Sequence, residues 1–211
     1  MLTGLAAKAV FLTTAIVALT GGWDLTASKT SDNMVRLAQE GDGGSVADAA
    51  APAWTIAPGG SLEFVAVNDG LPLNGWFSSW SGDIAMDPAA PDTAQIEITI
   101  DLSSASLGDT ARDQTLKGAD FLNAAGMATA VWNSTAVSST GENSYKAEGV
   151  LTLKGFSQPQ EITFTLDGEG NERSVSGEAE IDRNAFSVGS GPSASGVDPL
   201  VSLSFNFDAT S

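Results

Sequence analysis

The chain has 211 residues, with 26 acidic side chains against 9 basic ones and a formal net charge of -17. A surface so negative repels phosphate backbones and anionic lipid headgroups, so no nucleic-acid partner is expected. Cysteine and histidine are both absent, which removes disulfides, thiolate nucleophiles, c-type haem attachment, Cys/His zinc sites and the imidazole base of a serine triad.

Residues 1–22 have the layout of a secretory signal peptide: Lys8, an apolar run over 9–19 (AVFLTTAIVAL), then Thr20, Gly21 and Gly22. That run is shorter than the roughly 20 apolar residues a helix needs to span a bilayer, so a removable leader is expected rather than an anchor. Residues 23–53 read as a flexible spacer, since GDGGSVADAAAPA at 41–53 has almost nothing large to bury. Within it Asp32 is placed to cap a short helix over 33–40, marginal by itself.

From Trp54 the texture becomes that of strands, and residues 54–211 are expected to form one domain. Leu62, Phe64 and Ala66 alternate along 61–67, and Asp69-Gly70 supplies a turn. Over 74–86 Trp80, Gly82, Ile84 and Met86 share one parity while Phe77 has the other, which a bulge at Ser78-Ser79 reconciles. Ile96, Ile98 and Ile100 face away from Gln95, Glu97 and Thr99. The period then changes: Asp109 caps a short helix through Arg112 to Lys117, and Gly118 ends it.

Strands resume over 128–138, 144–153, 161–166, 174–181 and 199–208, joined by hairpin connections at 141–143, 155–159 and 167–171. The clearest is YKAEGVLTLKG, with Tyr145, Ala147, Gly149, Leu151 and Leu153 on one side and Lys146, Glu148, Val150, Thr152 and Lys154 on the other. Two candidate ion sites fail on their residues. The acidic loop at 167–172 lacks the ligand order of a calcium loop, and Gly189-Ser190-Gly191 lacks the Lys-Ser/Thr and helix of a phosphate cradle. No metal, cofactor or catalytic residue is expected. Strands that each need one face covered either stack as two sheets or close, and about eight strands with short links close a small antiparallel barrel able to hold one ligand.

Five segments in order, WTIAPGGSLEF, PLNGWFSSWSGDIAMDP, ARDQTLKGADF, YKAEGVLTLKG and IDRNAFSVGSG, resemble the YceI-like family of polyisoprenoid-binding proteins. The resemblance runs from about Trp54 to Phe207. It implies an all-β fold: a single closed, lipocalin-like antiparallel barrel with a short helical insertion, secreted to the periplasm and holding a polyisoprenoid in its interior. LEFVAVNDGLPLNGWF resembles members associated with membrane cytochromes of the b type, which makes an isoprenoid quinone a natural cargo and such a cytochrome a possible partner. Two departures stand out: Gly60-Ser61 replaces a frequent His-Ser pair, and Ala125-Gly126-Met127 replaces the usual Tyr-Pro.

A branched hydrocarbon tail has few polar handles, so it is held by displaced water, worth about 25 cal/mol per Å² of apolar surface. The candidate ligand contacts are therefore Phe64, Trp76, Phe77, Trp80, Ile84, Ile98, Phe121, Trp132, Leu151, Phe164 and Phe205. The same residues would equally suit a solid core, because periodicity does not say which side is the lumen. For a headgroup at the rim the candidates are Arg112, Lys154 and Arg183, with Lys117 close by. Local pairing is the alternative for two of them, Arg112 with Asp109 or Asp113 on its helix, and Arg183 with Asp182 or another acid so as to pin a loop. The first functional expectation is a non-enzymatic carrier. The second is an accessory module for a membrane redox partner, with a filled barrel and an acidic working surface. Oligomeric state leaves no mark in the sequence.

Overall fold

The structure is a computed structural model and describes residues 51–211. The leader, nearly all of the spacer and the helix expected over 33–40 lie outside the described residues. In chain order the strands are β1 (Ala53–Ile56), β2 (Ser61–Asn68), β3 (Leu71–Phe77), β4 (Trp80–Ala85), β5 (Gln95–Asp101) and β6 (Ala105–Ser106). The helix α1 (Thr110–Lys117) follows, then β7 (Thr129–Gly141), β8 (Ser144–Leu153), β9 (Phe156–Asp167), β10 (Glu172–Asp182) and β11 (Leu200–Thr210).

Every pairing is antiparallel, and the pairs Thr55↔Thr210 and Ile56↔Ala209 join β1 to β11 and close the sheet. Three pairs of strands act as single bent staves. β1 and β2 both run along β11, β4 and β3 run along β1 and β2, and β5 and β6 run along β4 and β3. Counted that way, an eight-strand barrel winds up and down in sequence order. Closure removes most of the exposed sheet edge that invites aggregation, and only β6 and the first half of β9 keep one side without a strand partner.

The bends lie side by side. β1 gives way to β2 at residues 57–60, β3 to β4 at Ser78-Ser79, and β5 to β6 through a 3-10 turn at Leu102–Ser104. They are tied to one another: Ser79 N–H donates to Ser104 Oγ at 3.1 Å, and Asp101 N–H to Ser79 O at 3.0 Å. The expected irregularity at Ser78-Ser79 therefore exists, and it turns both Phe77 and Trp80 inward. Above this line of bends β6 pairs with β3 only, and α1 with the loop after it covers the space where β7 does not reach. Asp109 caps α1, its carboxylate accepting from Ala111 and Arg112 N–H, and Gly118 follows the last turn, as the residue types dictate.

Turn chemistry sets the registers. Asp69-Gly70 and Lys154-Gly155 are two-residue loops in which both residues have positive φ, the geometry whose twist matches a hairpin and for which glycine carries no steric cost. The second loop corrects the sequence reading. The turn occupies residues 154–155 alone, and β9 starts at Phe156 and takes in Pro159. Proline is tolerated there because β9 pairs with β10 only from Thr163 onward, so its first half borders no ladder on that side. Gln160 spans the opening, Nε2 donating to Glu180 O at 3.0 Å.

Candidate ligand-binding interior

The two-residue period of each strand sends one set of side chains inward. On β8 these are Tyr145, Ala147, Gly149, Leu151 and Leu153, all buried. Ala147 and Leu151 face Ile96, Ile98 and Ile100 of β5 and Leu203, Phe205 and Phe207 of β11 around a lower chamber of about 130 Å³. A second, upper chamber of about 540 Å³ lies under α1 and the loop between β10 and β11. Among the described residues no buried side-chain nitrogen or oxygen lacks a hydrogen-bond partner. The indoles show why: Trp54 Nε1 donates to Met86 O at 2.8 Å and Trp132 Nε1 to Gln160 O at 3.1 Å. The lower chamber is consequently almost wholly apolar.

Several inward rings sit against glycines of neighbouring strands. Phe64 covers Gly75, Trp132 covers Gly149 and Phe205 covers Gly177, each so closely that a Cβ on the glycine would collide with the ring. Tyr145 stacks on Phe164 with ring centroids 5.4 Å apart, and Trp80 meets Phe207 edge-on at 5.4 Å. Gly60 bears on the departure noted in the sequence. A Cβ there would come within 2.7 Å of Phe207 Cβ, 3.0 Å of Asn206 O and 3.1 Å of the Trp80 ring, so β11 and the indole occupy the space that a side chain would need.

Of the eleven aromatic and branched candidates, Trp80, Ile84, Ile98, Trp132, Leu151, Phe164 and Phe205 line the lower chamber, and Phe64, Phe77 and Phe121 line the upper one. Trp76 does not. It sits on the outer face of β3, 44 % exposed, with its ring beside Gly108. Adjacent strand residues point opposite ways, so with Phe77 inward Trp76 must face out. Sequence reasoning missed Leu62, Ile96, Ile100 and Ile162 as lining residues, although each shares the parity of a residue already chosen on its strand, and it missed Val175 of β10, a strand from which no candidate was taken. It also missed Leu107, Leu116, Val188 and Val197 of the upper chamber. These lie on α1 or in irregular segments, where no two-residue period exists to reveal them.

The three cationic candidates separate. Arg112 is exposed and borders the upper chamber with Asn68, Thr115 and Ser193, and among the described residues it forms no ion pair with Asp109 or Asp113. Lys154 is committed elsewhere: Nζ donates to Ser187 O at 2.7 Å, Ala119 O at 3.1 Å and Asp120 O at 3.3 Å, tying the loop after α1 to the loop after β10. Arg183, 9 % exposed, forms no ion pair among the described residues. Its guanidinium donates to the carbonyls of Asp198 (2.8 Å), Val188 (2.8 Å), Gly189 (3.0 Å), Ala194 (3.5 Å) and Val197 (2.5 Å). It thereby organises the 183–199 loop that roofs the chamber. Asp113 does similar work for α1. Its carboxylate accepts from Leu107 N–H at 2.6 Å and Ser106 Oγ at 2.8 Å, and these bonds hold it below the usual carboxylate range.

These features define a class: a closed up-and-down antiparallel barrel with an apolar interior that its own side chains do not fill. Within that class the chain belongs to the YceI-like family, whose domain model matches residues 54–209. A UPF0312 protein of Pseudomonas fluorescens (strain SBW25) is 33% identical over 138 residues, spanning 62% of this chain and 72% of that protein. The crystal structure of Burkholderia cenocepacia BcnA superposes with a TM-score of 0.68 at 29% identity, covering 72% of this chain and 96% of BcnA. A polyisoprenoid binding domain from Saccharophagus degradans, implicated in plant cell wall breakdown, shares the fold with a TM-score of 0.62 at 15% identity over 75% of this chain and 98% of that domain.

Proposed function

We propose that the protein is a non-enzymatic carrier that takes a polyisoprenoid, or an amphiphile with an isoprenoid tail such as a quinone, into the barrel interior. The observation that carries the reading is a closed barrel with two adjoining apolar chambers in which every buried polar side-chain atom is already satisfied. Such a space offers mainly hydrocarbon contact, with polar side chains only at the upper chamber, so it suits a guest whose affinity comes chiefly from displaced water. The family membership and the polyisoprenoid-binding relative support the same cargo. The head of the guest stays in the upper chamber beside Arg112, whereas Lys154 and Arg183 hold the roof.

The site of action is the periplasm, reached with the leader at residues 1–22. Exchange takes place at a membrane redox partner such as a b-type cytochrome. Leu71 (69 % exposed) and Leu200 (48 % exposed) flank the chamber end of the barrel and offer apolar contact for it. Organic extraction of the purified protein followed by mass spectrometry tests the cargo, and a co-purifying prenyl lipid is the expected finding. Recovery of none, with no uptake of added prenol or quinone, refutes the carrier. The mass of the protein from the periplasmic fraction tests export and removal of the leader.

A further inference from the structure

One junction of the barrel wall is held by side chains in place of a ladder. β9 and β10 pair from Thr163↔Glu178 to Asp167↔Ser174, yet both strands run on past that point, β9 back to Phe156 and β10 forward to Asp182. Each stays paired on its other side, β9 with β8 and β10 with β11. Residues 156–162 and 179–182 are therefore the two banks of a seam. Gln158-Pro159-Gln160 accounts for how it is kept shut. Pro159 has no N–H to give a partner strand, and the two glutamines reach across: Gln160 Nε2 donates to Glu180 O at 3.0 Å and Gln158 Nε2 to Ala185 O at 3.4 Å. Gln160 O is taken by the Trp132 indole rather than by β10.

The seam borders the interior. Gln160 and Ile162 on one bank and Ala179 and Ile181 on the other all line the lower chamber, and all four are partly exposed. The roof is tied far more firmly. Lys154 donates there to three carbonyls and Arg183 to five, and hydrogen bonds from a charged donor are roughly twice as strong as neutral ones. Parting the seam breaks two neutral bonds and no backbone ladder.

Resting on the carrier reading above, we infer that this seam is the route of exchange. β9 and β10 part over residues 156–162 and 179–182, and the guest enters and leaves sideways through the wall while the roof stays tied. Gln160 is the latch. A latch that is closed both before and after binding sets the barrier and not the end states, so uptake and release change together and affinity does not.

The chain has no cysteine, so Glu161→Cys with Glu180→Cys supplies the only two thiols, one on the exposed outer face of each bank. Joining them with a short, reducible bis-thiosulfonate, and following a fluorescent prenyl alcohol by stopped flow, tests the route. Linkage is expected to slow uptake and release alike by about tenfold or more, as a blocked gating step does, with affinity unchanged and both rates restored by reductant. Gln160→Met, which keeps the length of the side chain and loses its amide, is expected to quicken both by about fivefold for one neutral hydrogen bond. Near-ultraviolet circular dichroism verifies that each variant is folded. Rates unaltered by a linkage that mass spectrometry shows to be complete overturn the inference, as does a linked protein that changes affinity without slowing uptake. Uptake no faster in folded Gln160→Met overturns it independently. Failure of the unlinked protein to take up the probe at all is a different result, which removes the carrier reading itself.

Discussion

Gly149 shows how one residue without a side chain shapes the interior. It faces inward on β8, and a Cβ there would lie 2.5 Å from the Trp132 ring and closer still to Asn133 O. Gly149→Val should therefore cost about 1–3 kcal/mol through forced movement of the indole and backbone, measured as a lower denaturant midpoint with an altered tryptophan emission. Arg183 is the polar counterpart. Arg183→Met deprives several roof carbonyls of their donor, and a loss of about 1–3 kcal/mol is expected. Amide hydrogen exchange should then quicken over residues 187–198. Arg183→Lys should recover only part of the effect, because an ammonium has no planar fork to spread over so many acceptors. Much at this scale was legible: parity alone selected Ile98, Leu151 and Phe205. Arg183 was legible as a loop-organising residue, but not its partners, since carbonyls spread over residues 188–198 leave no pattern in side-chain types.

Among the elements, α1, capped by Asp109, is tied back to residues 106–107 by the Asp113 carboxylate. Asp113 is held below the usual carboxylate range by Leu107 N–H, with a smaller contribution from Ser106 and Lys117 set against some desolvation. A depressed folded-state value means that the tether is fully present above the ordinary carboxylate pKa of about 3.9 and lost as pH falls through the lower folded value. The α1 amides should thus exchange faster, relative to those of β8, only in the acid range below about pH 4. Asp113→Asn should show faster exchange at neutral pH and little further change on acidification. The opening between β9 and β10 gives a second expectation at this scale. Backbone amides of residues 156–162 that point toward β10 should exchange faster than their counterparts in 163–167, where the ladder is complete. The strand boundaries here were misread because Gly155 and Pro159 look like one long connection. A two-residue turn followed by an unpaired flank uses the same residue types.

For the molecule as a whole, the dominant surface property is negative charge, and among the described residues the recorded ion pairs all involve Lys146, with Glu148 and Glu161. Repulsion between the remaining acids opposes the compact state and is screened over about 8 Å at physiological ionic strength. Added sodium chloride should therefore raise the thermal midpoint. A fall would mean that favourable pairs outweigh repulsion on this surface.

The sequence alone determined the all-β class, the alternation that makes one face of each strand apolar, the cap and stop of α1, and the need for an irregularity at Ser78-Ser79. All of these follow from local chemistry, whose range is a turn or a two-residue period. Family membership was also readable, since ordered motifs survive in the chain itself. Only the tertiary structure decided that β1 meets β11, that Trp76 faces out, and that the interior is two chambers rather than a solid core. Closure and register depend on pairings between residues far apart in the chain. Empty volume depends on how side chains from one strand pack against the next, an outcome that periodicity does not carry.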